Sequence, residues 1–451
     1  MEYDSDAGLL APGRVGSPAE TATSDAAFLR AMLDAEAALT RAQAACGLAP
    51  AQAARAVTEA AGSDRFDVRD VARRARAGGN PVIPLVADLT AAVPGAAADH
   101  VHRGATSQDI LDTAAMLVAS RTLPLVLADL ERSCAALERI AREHRDTVMP
   151  GRTLTQHAVP TTFGLKVAGW RSLLLDARDR LTTVHASLPA QLGGAAGTLA
   201  ALGAWAATGE DVGPRVLTAF ARETGLSEPP LPWHTLRTPV ADLAGALAFT
   251  AGALGKTAAD VLVLTRTEIG EVSEGDAGGS SAMPHKTNPV RATLIASAAR
   301  RAPALASVLY GSMAAEDERP AGAWHAEWES LRDLLRLVGG AARDCVQLAE
   351  GLRIHPYRMR EHLDHTDGLI VSERLAAALG VRLGRARAAK LLRSAAERAR
   401  TEAESLQDVL ADPDLLADLP ELAGLVTDEL LDPTRYTGSA GVLTDRALER
   451  R

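Results

Sequence analysis

The apolar residues of this chain recur with the period of a helix over unusually long stretches. Leu123, Val126, Leu127, Leu130, Cys134, Leu137 and Ile140 step by three or four, and Glu131, Arg132, Glu138 and Arg139 fall on the other side, which predicts a helix over 123–143. Similar patterns predict helices over roughly 161–187, 239–272, 290–310, 328–352 and 385–410. Lengths of about 20 residues are long for a globular helix. Several such helices with short connections predict an all-α chain built on a long-helix bundle. Composition agrees, because five Phe, four Tyr and five Trp among 451 residues leave a core of Ala and aliphatic side chains. That is helix-forming chemistry and a poor basis for a β-sandwich. No strand-period segment of convincing length stands out. Another helix is expected to start at Ser24 or Asp25, with Phe28, Met32, Ala35 and Leu39 on its inner face, after a loose lead-in of about 25 residues.

Charge and cysteines narrow the function classes. With 48 Lys+Arg against 57 Asp+Glu, the net charge is −9, so no global basic field exists to hold nucleic acid. A local basic pocket remains open. Cys46, Cys134 and Cys345 are too few and too scattered for a disulfide framework or a zinc motif, so reduced thiols in a cytoplasmic protein are expected. The N-terminus carries no secretory h-region, and no 18-residue uncharged apolar run is present, so no membrane span is expected. Length alone predicts about three domains.

Pro and Gly punctuate the chain at 78–84, 188–198 and 225–234, and a fourth loop covers 275–289. This last stretch holds Gly278, Gly279, Ser280, Ser281, Met283, His285, Lys286, Asn288 and Pro289. Glycines expose backbone amides, Lys286 adds a positive charge near two hydroxyls, and Pro289 suits a helix start. Read from its residues, the loop is either an anion-receiving active-site loop or a solvated connection. No metal cluster, phosphate loop or nucleotide fingerprint appears.

GSSAMPHKTNP resembles the signature loop of the fumarase/aspartase superfamily. VHRGATSQDILDT (101–113) and GRTLTQHAVPTTFG (151–164) look like its other two blocks, in the right order. GNPVIPLV (79–86), AGAWHAEWESL (321–331) and the tail LDPTRYTGSAGVLTDRAL (431–448) are similar to the bacterial 3-carboxy-cis,cis-muconate cycloisomerases. The resemblance implies a three-part all-α subunit, with an N-terminal helical domain (1–105), a central bundle (106–350) and a C-terminal helical domain (351–451). It also implies a cofactor-free homotetramer whose active sites are shared between subunits and take a small polycarboxylate.

By the same resemblance, Ser280 is the base, or the proton donor in the lactonising direction. Lys286 and Asn288 contact substrate carboxylates, with Ser281 and Met283 beside them. Thr106 and Ser107 bind a carboxylate, helped by a helix N-terminus, and His102 lies close by. Thr155 and Gln156 of the second block bind substrate, Gln156 as a carboxylate contact, and His157 is either a substitute acid–base group or a packed histidine. Leu154 stands where fumarases and many adenylosuccinate lyases carry His, and leucine transfers no proton. Arg319 suits bidentate carboxylate binding, or else a surface salt bridge with Glu316 or Glu318. For Asp109 and Asp112 the favoured reading is helix-cap and dipole stabilisation, and for Trp324 and Trp328 it is packing. The leading expectation is the cycloisomerase of the protocatechuate branch of aromatic degradation (the β-ketoadipate pathway). The alternative is a β-eliminating lyase forming fumarate from a substituted succinate such as nitrosuccinate. A non-catalytic structural protein is a third reading, disfavoured by the intact loop.

Overall fold

A computed structural model describes residues 7–206, 211–275, 278–279, 283, 286–402, 404–422, 424 and 426–451. The all-α expectation holds. Five helices of 22 to 37 residues, Ser107–Glu143, Phe163–Ser187, Thr238–Leu264, Val290–Gly311 and Ala323–Gly351, are the longest elements among the described residues. The chain divides into two compact units, one of residues 1–131, 176–255 and 293–345, the other of 132–175, 256–292 and 346–451.

In the first unit, the helix Asp25–Ala45 starts where Ser24 accepts a hydrogen bond from the Ala27 amide, and Met32, Ala35 and Leu39 are buried as their spacing requires. It packs against the helices Ala51–Ala61 and Gly213–Thr224. The lead-in is not loose. Ser17 caps a short helix, Pro18–Ala22, and Arg336 donates to the carbonyl oxygen and hydroxyl of Thr23 at 2.9 and 3.1 Å. Gly339 and Gly340 allow this contact, because a Cβ on either would overlap Ala19 or the Gly13 backbone. Period alone cannot reveal a segment held by a distant helix.

The helix expected from Leu123 begins at Ser107 and runs through Pro124. Pro124 reads as a start because it lacks an N–H, yet here it is an interior residue on the exposed side. The helix expected over 239–272 ends at Leu264, and that over 385–410 breaks into Arg385–Glu402 and Leu406–Leu410, the second capped by Ser405. The segments Ser107–Glu143 and Thr238–Leu264 are long and apolar enough to cross a membrane, but 67% and 50% of their most apolar windows are buried inside the protein, as in core helices.

The second unit contains strands that the period did not expose. Strand β1 (Val148–Thr153) pairs antiparallel with β2 (Gln156–Thr162) through a two-residue turn, Leu154–Thr155. Both turn residues have positive φ, +48° and +70°, as a type I′ turn demands, and neither is a residue type that favours it. Phe163 and Trp170 meet edge to face at 6.0 Å, and the Trp170 indole donates to Asp260 at 2.6 Å. Val371, Leu375, Leu379 and Leu406 form a separate C-terminal core.

The helix Phe163–Ser187 starts hard against the end of Ser107–Glu143, where the Gly164 amide donates to the His144 carbonyl at 2.9 Å. A Cβ on Gly164 would lie 2.6 Å from Arg145 Cα and 2.8 Å from the carbonyl oxygens of Ala141 and His144. Backbone cannot yield as a side chain can, so Gly164→Ala is expected to cost about 2 kcal/mol or more in urea unfolding. An unchanged unfolding midpoint would mean that this junction is loose.

Candidate active site

In the first unit, the helix that begins at Ser107 brings the first block to a point. The Asp109 carboxylate has no exposed surface and accepts from four donors. These are the amides of Thr106 (2.9 Å), Gly193 (2.8 Å) and Gly194 (2.9 Å) and the His234 imidazole (2.7 Å). Asp109 therefore caps the helix as expected and also clamps the 188–198 loop to it. The half-buried hydroxyls of Thr106 and Ser107 have no hydrogen-bond partner among the described residues, and they sit at a helix N-terminus, where amides favour an anion.

Arg319 joins this group. Its Nε donates to Gln108 Oε1 at 3.0 Å and its guanidinium to the Ala195 carbonyl at 3.1 Å. Glu316 instead accepts from the Ala321 amide, and no salt bridge from Arg319 to Glu316 or Glu318 occurs. Asp112 is not a cap. It is buried and accepts from Arg237 at 2.7 and 3.1 Å, from Trp324 Nε1 at 2.9 Å and from Gln108 at 3.2 Å. Arg237 also holds Glu327 at 3.0 Å, and burial, opposed by Arg237 itself, leaves the Glu327 carboxyl above its usual range. Trp324 and Trp328 pack edge to face at 4.8 Å, so their packing role stands.

His102 lies next to this group along the chain, with φ +55°. Its Nδ1 contacts the buried Glu36 carboxylate at 2.6 Å and its amide donates to the same group at 3.1 Å. Burial alone would lower its pKa from 6.5. The charge and hydrogen bond of Glu36, with Asp109 behind, outweigh burial and raise it.

In the second unit, the hairpin presents Leu154, 96% exposed, at its tip, with Thr155 and Gln156 exposed beside it. Arg152 and His157 are cross-strand partners. The hairpin is pinned by Glu271, which is fully buried. Arg152 donates to both of its oxygens at 2.9 and 2.6 Å, and His362 Nδ1 meets it at 2.6 Å. His157 stacks on His365 at 6.3 Å, and His365 meets His362 edge to face at 4.7 Å. Burial first, then Arg152, His362 and His365, lower the His157 pKa.

The signature loop is closed at its base, where Gly278 pairs with Asn288 and Gly279 with Thr287. Glu274 caps the helix that follows, accepting from the amides of Arg291 (3.1 Å) and Ala292 (2.9 Å). Met283 and Lys286 are exposed and Asn288 is half-buried. Ser280 and Ser281 lie outside the described residues.

Thus Thr106, Ser107 and Arg319 gather in the first unit with His102 close along the chain, and Thr155, Gln156 and His157 gather in the second. The loop residues Met283, Lys286 and Asn288 also belong to the second unit. Sequence reasoning missed Asp109 as a hub, His234, Glu271, His362 and Lys166. Asp109, His234, Glu271 and His362 act through partners far along the chain, Lys166 shows its place only in the folded unit, and only the motifs WHT and HLDH hint at the histidines. No group of His, Cys, Asp and Glu that could hold a metal occurs among the described residues.

Comparison with known proteins identifies the family. A family profile described as "Lyase" matches residues 16–303, and one described as "Adenylosuccinate lyase C-terminus" matches residues 368–447. A nitrosuccinate lyase from Streptomyces davaonensis is 55% identical, over 98% of this chain and 94% of that protein. A 3-carboxy-cis,cis-muconate cycloisomerase from Bradyrhizobium diazoefficiens is 42% identical, over 98% and 97%. The crystal structure of the 3-carboxy-cis,cis-muconate lactonizing enzyme from Pseudomonas putida superposes with a TM-score of 0.87 at 41% identity, covering 96% of each chain. The chain belongs to the fumarase/aspartase superfamily and is an enzyme of that superfamily.

Two outcomes follow from the buried carboxylates. Glu271→Gln removes the only charge that Arg152 pairs with among the described residues, and is expected to cost about 3 kcal/mol or more in denaturant unfolding. A loss below roughly 1 kcal/mol would show that Arg152 finds water instead. The folded pKa of His102 is raised, so its contribution to stability is complete below about 6.5 and fades as pH rises through the folded value. Glu36→Gln is expected to flatten that part of the stability–pH curve, and an unchanged slope would remove His102 from it.

Proposed function

We propose that this superfamily member is a β-eliminating lyase that forms fumarate from a substituted succinate, with nitrosuccinate as its substrate and nitrite as the leaving group. The carrying observation is Leu154. The hairpin tip presents an exposed leucine where related lyases place a proton-transferring histidine, so the leaving group must depart without a proton from that position. An amine leaving group needs one. Nitrite is a weakly basic anion and does not.

In the proposed reaction Ser280 takes a proton from the carbon next to one carboxylate. The C–H electron pair forms the double bond, and the C–N pair leaves with nitrite. The products are fumarate, nitrite and a proton. The charge that develops on the carboxylate during proton removal needs positioned donors, a role assigned to Lys286, Asn288 and the amides of the loop. Thr106, Ser107 and Arg319 take the other carboxylate, with His102 beside them. Thr155, Gln156, Ser281 and Met283 complete the substrate contacts, and His157 serves as an auxiliary proton carrier. These parts are proposed to meet in a cytoplasmic homotetramer.

A carboxylate is also a weakly basic leaving group, so Leu154 suits the cycloisomerase as well. The identities separate the two readings, 55% to the nitrosuccinate lyase against 42% to the cycloisomerase, and they favour the elimination over the lactonisation that the sequence motifs had put first.

Purified protein is expected to release fumarate and nitrite in equal amounts from nitrosuccinate. It is expected to convert 3-carboxy-cis,cis-muconate at least roughly a hundredfold more slowly. The reverse preference would sink the assignment. Ser280→Ala is expected to lower kcat by roughly a thousandfold without changing the thermal midpoint. A near-wild-type rate in that variant would take Ser280 out of the reaction.

A further inference from the structure

The cleft beneath the β1–β2 hairpin is richer in basic side chains than the motif explains. It lies within the second unit, has a volume of about 470 Å³, and is lined by Arg152, His157, Lys166, Lys256, His362 and His365, with Arg266 at its exposed edge. The carboxylates that line it are Asp260 and the exposed Glu268, and Glu271 lies behind Arg152. That size suits a small organic or inorganic anion rather than single waters alone.

Partner by partner, most of these groups are already committed. Arg152 and His362 share Glu271. Lys256 reaches both oxygens of Asp260 at 2.6 Å, and Asp260 also accepts from Trp170. Lys166 is different. It projects from the first turn of the helix Phe163–Ser187, is half-buried, and has no hydrogen-bond or ion-pair partner among the described residues. The stacked His157 ring likewise has no hydrogen-bond partner among them. A half-buried ammonium beside two other cations is costly unless an anion joins it. The cleft shows this cost in its own groups, since burial, then Lys256 and Arg152, lower the Lys166 pKa against the opposing pull of Asp260 and Glu271.

We propose that this cleft is a binding site for a small dianion, anchored by Lys166 and completed by His157. The ligand class is a doubly charged oxyanion, either a four-carbon dicarboxylate or inorganic phosphate. Two carboxylate or phosphate oxygens can be shared between an ammonium and an imidazolium by charge-assisted hydrogen bonds. The bound anion favours the protonated forms of both groups, and His157, held below the ordinary imidazole range by burial, takes up a proton on binding near neutral pH. Arg152, Lys256 and Arg266 strengthen the attraction, Asp260, Glu268 and Glu271 weaken it, and the His362 and His365 rings line the same cleft. The site rests on the geometry of the second unit and not on the identity of the leaving group.

Isothermal titration of the full-length protein with succinate, and separately with inorganic phosphate, tests it. Repeating each titration in two buffers of different ionisation enthalpy reads proton uptake directly on the wild type. The expected result is saturable binding with net proton uptake, about tenfold weaker in Lys166→Met and within about threefold in Lys166→Arg. Saturation by succinate alone assigns a dicarboxylate site, and saturation by phosphate alone assigns an inorganic-anion site. Either supports the proposal. No binding of either anion at about 10 mM overturns it. So does binding without proton uptake, or equal affinity in a folded Lys166→Met variant. Fumarate release is measured independently, so failure of the anion site and failure of the elimination reading are told apart.

Discussion

A carboxylate with no exposed surface must find a donor for the lone pairs it presents, and Asp109 finds four. Through them one side chain joins a helix start, a glycine-rich loop and a histidine 125 residues away. Glu271 does the same work in the second unit, where one fully buried carboxylate holds a strand by Arg152 and the C-terminal segment by His362. An ionised group can be buried only when its partners are in place. Both carboxylates therefore make their surroundings cooperative, since losing one partner leaves a buried charge short of its donors. The candidate site residues lie beside these two hubs without being part of them.

The helices supply the other constraint. An Ala- and Gly-rich core lets backbones approach closely, as Gly339 and Gly340 do beneath the N-terminal segment and Gly164 does against His144. Close approach leaves little room for adjustment. Most of the candidate site residues lie in the segments between helices or at a helix start. The strained turn at Leu154–Thr155 fits this division. Two residues poorly suited to positive φ are held there by a hairpin whose flanking strands are anchored through Arg152 and His157.

Charge is distributed in the same spirit. The chain is acidic as a whole, with a net charge of −9, and its cations are drawn into particular places. Arg319 stands beside an anion-favouring helix start, and Arg152, Lys166 and Lys256 converge on one cleft. Local positive potential on a protein with none overall suits small anions better than polyanions.

Much of this was legible in the chain of residues alone. Helical period established the fold class, because a 3.6-residue repeat is local and needs no partner to be seen. The three blocks pointed to the superfamily and to the candidate residues Ser280, Lys286 and Thr106, a further segment offered Arg319, and Leu154 told against a histidine-dependent route. Period could not show the N-terminal segment packed on a distant helix, a helix running through Pro124, or the β1–β2 hairpin, whose strands are too short and too interrupted by proline to declare themselves. Motif reading took Asp112 for a cap, because its place in the first turn is visible and Arg237, 125 residues on, is not. Tertiary structure alone decided that Asp109 and Glu271 are hubs, that His157, His362 and His365 form a row, and that Lys166 is left facing a cleft. The physical reason is the same in each case. A side chain's type and local spacing are written in sequence, but the electrostatic partner that decides its protonation and role arrives from another part of the fold.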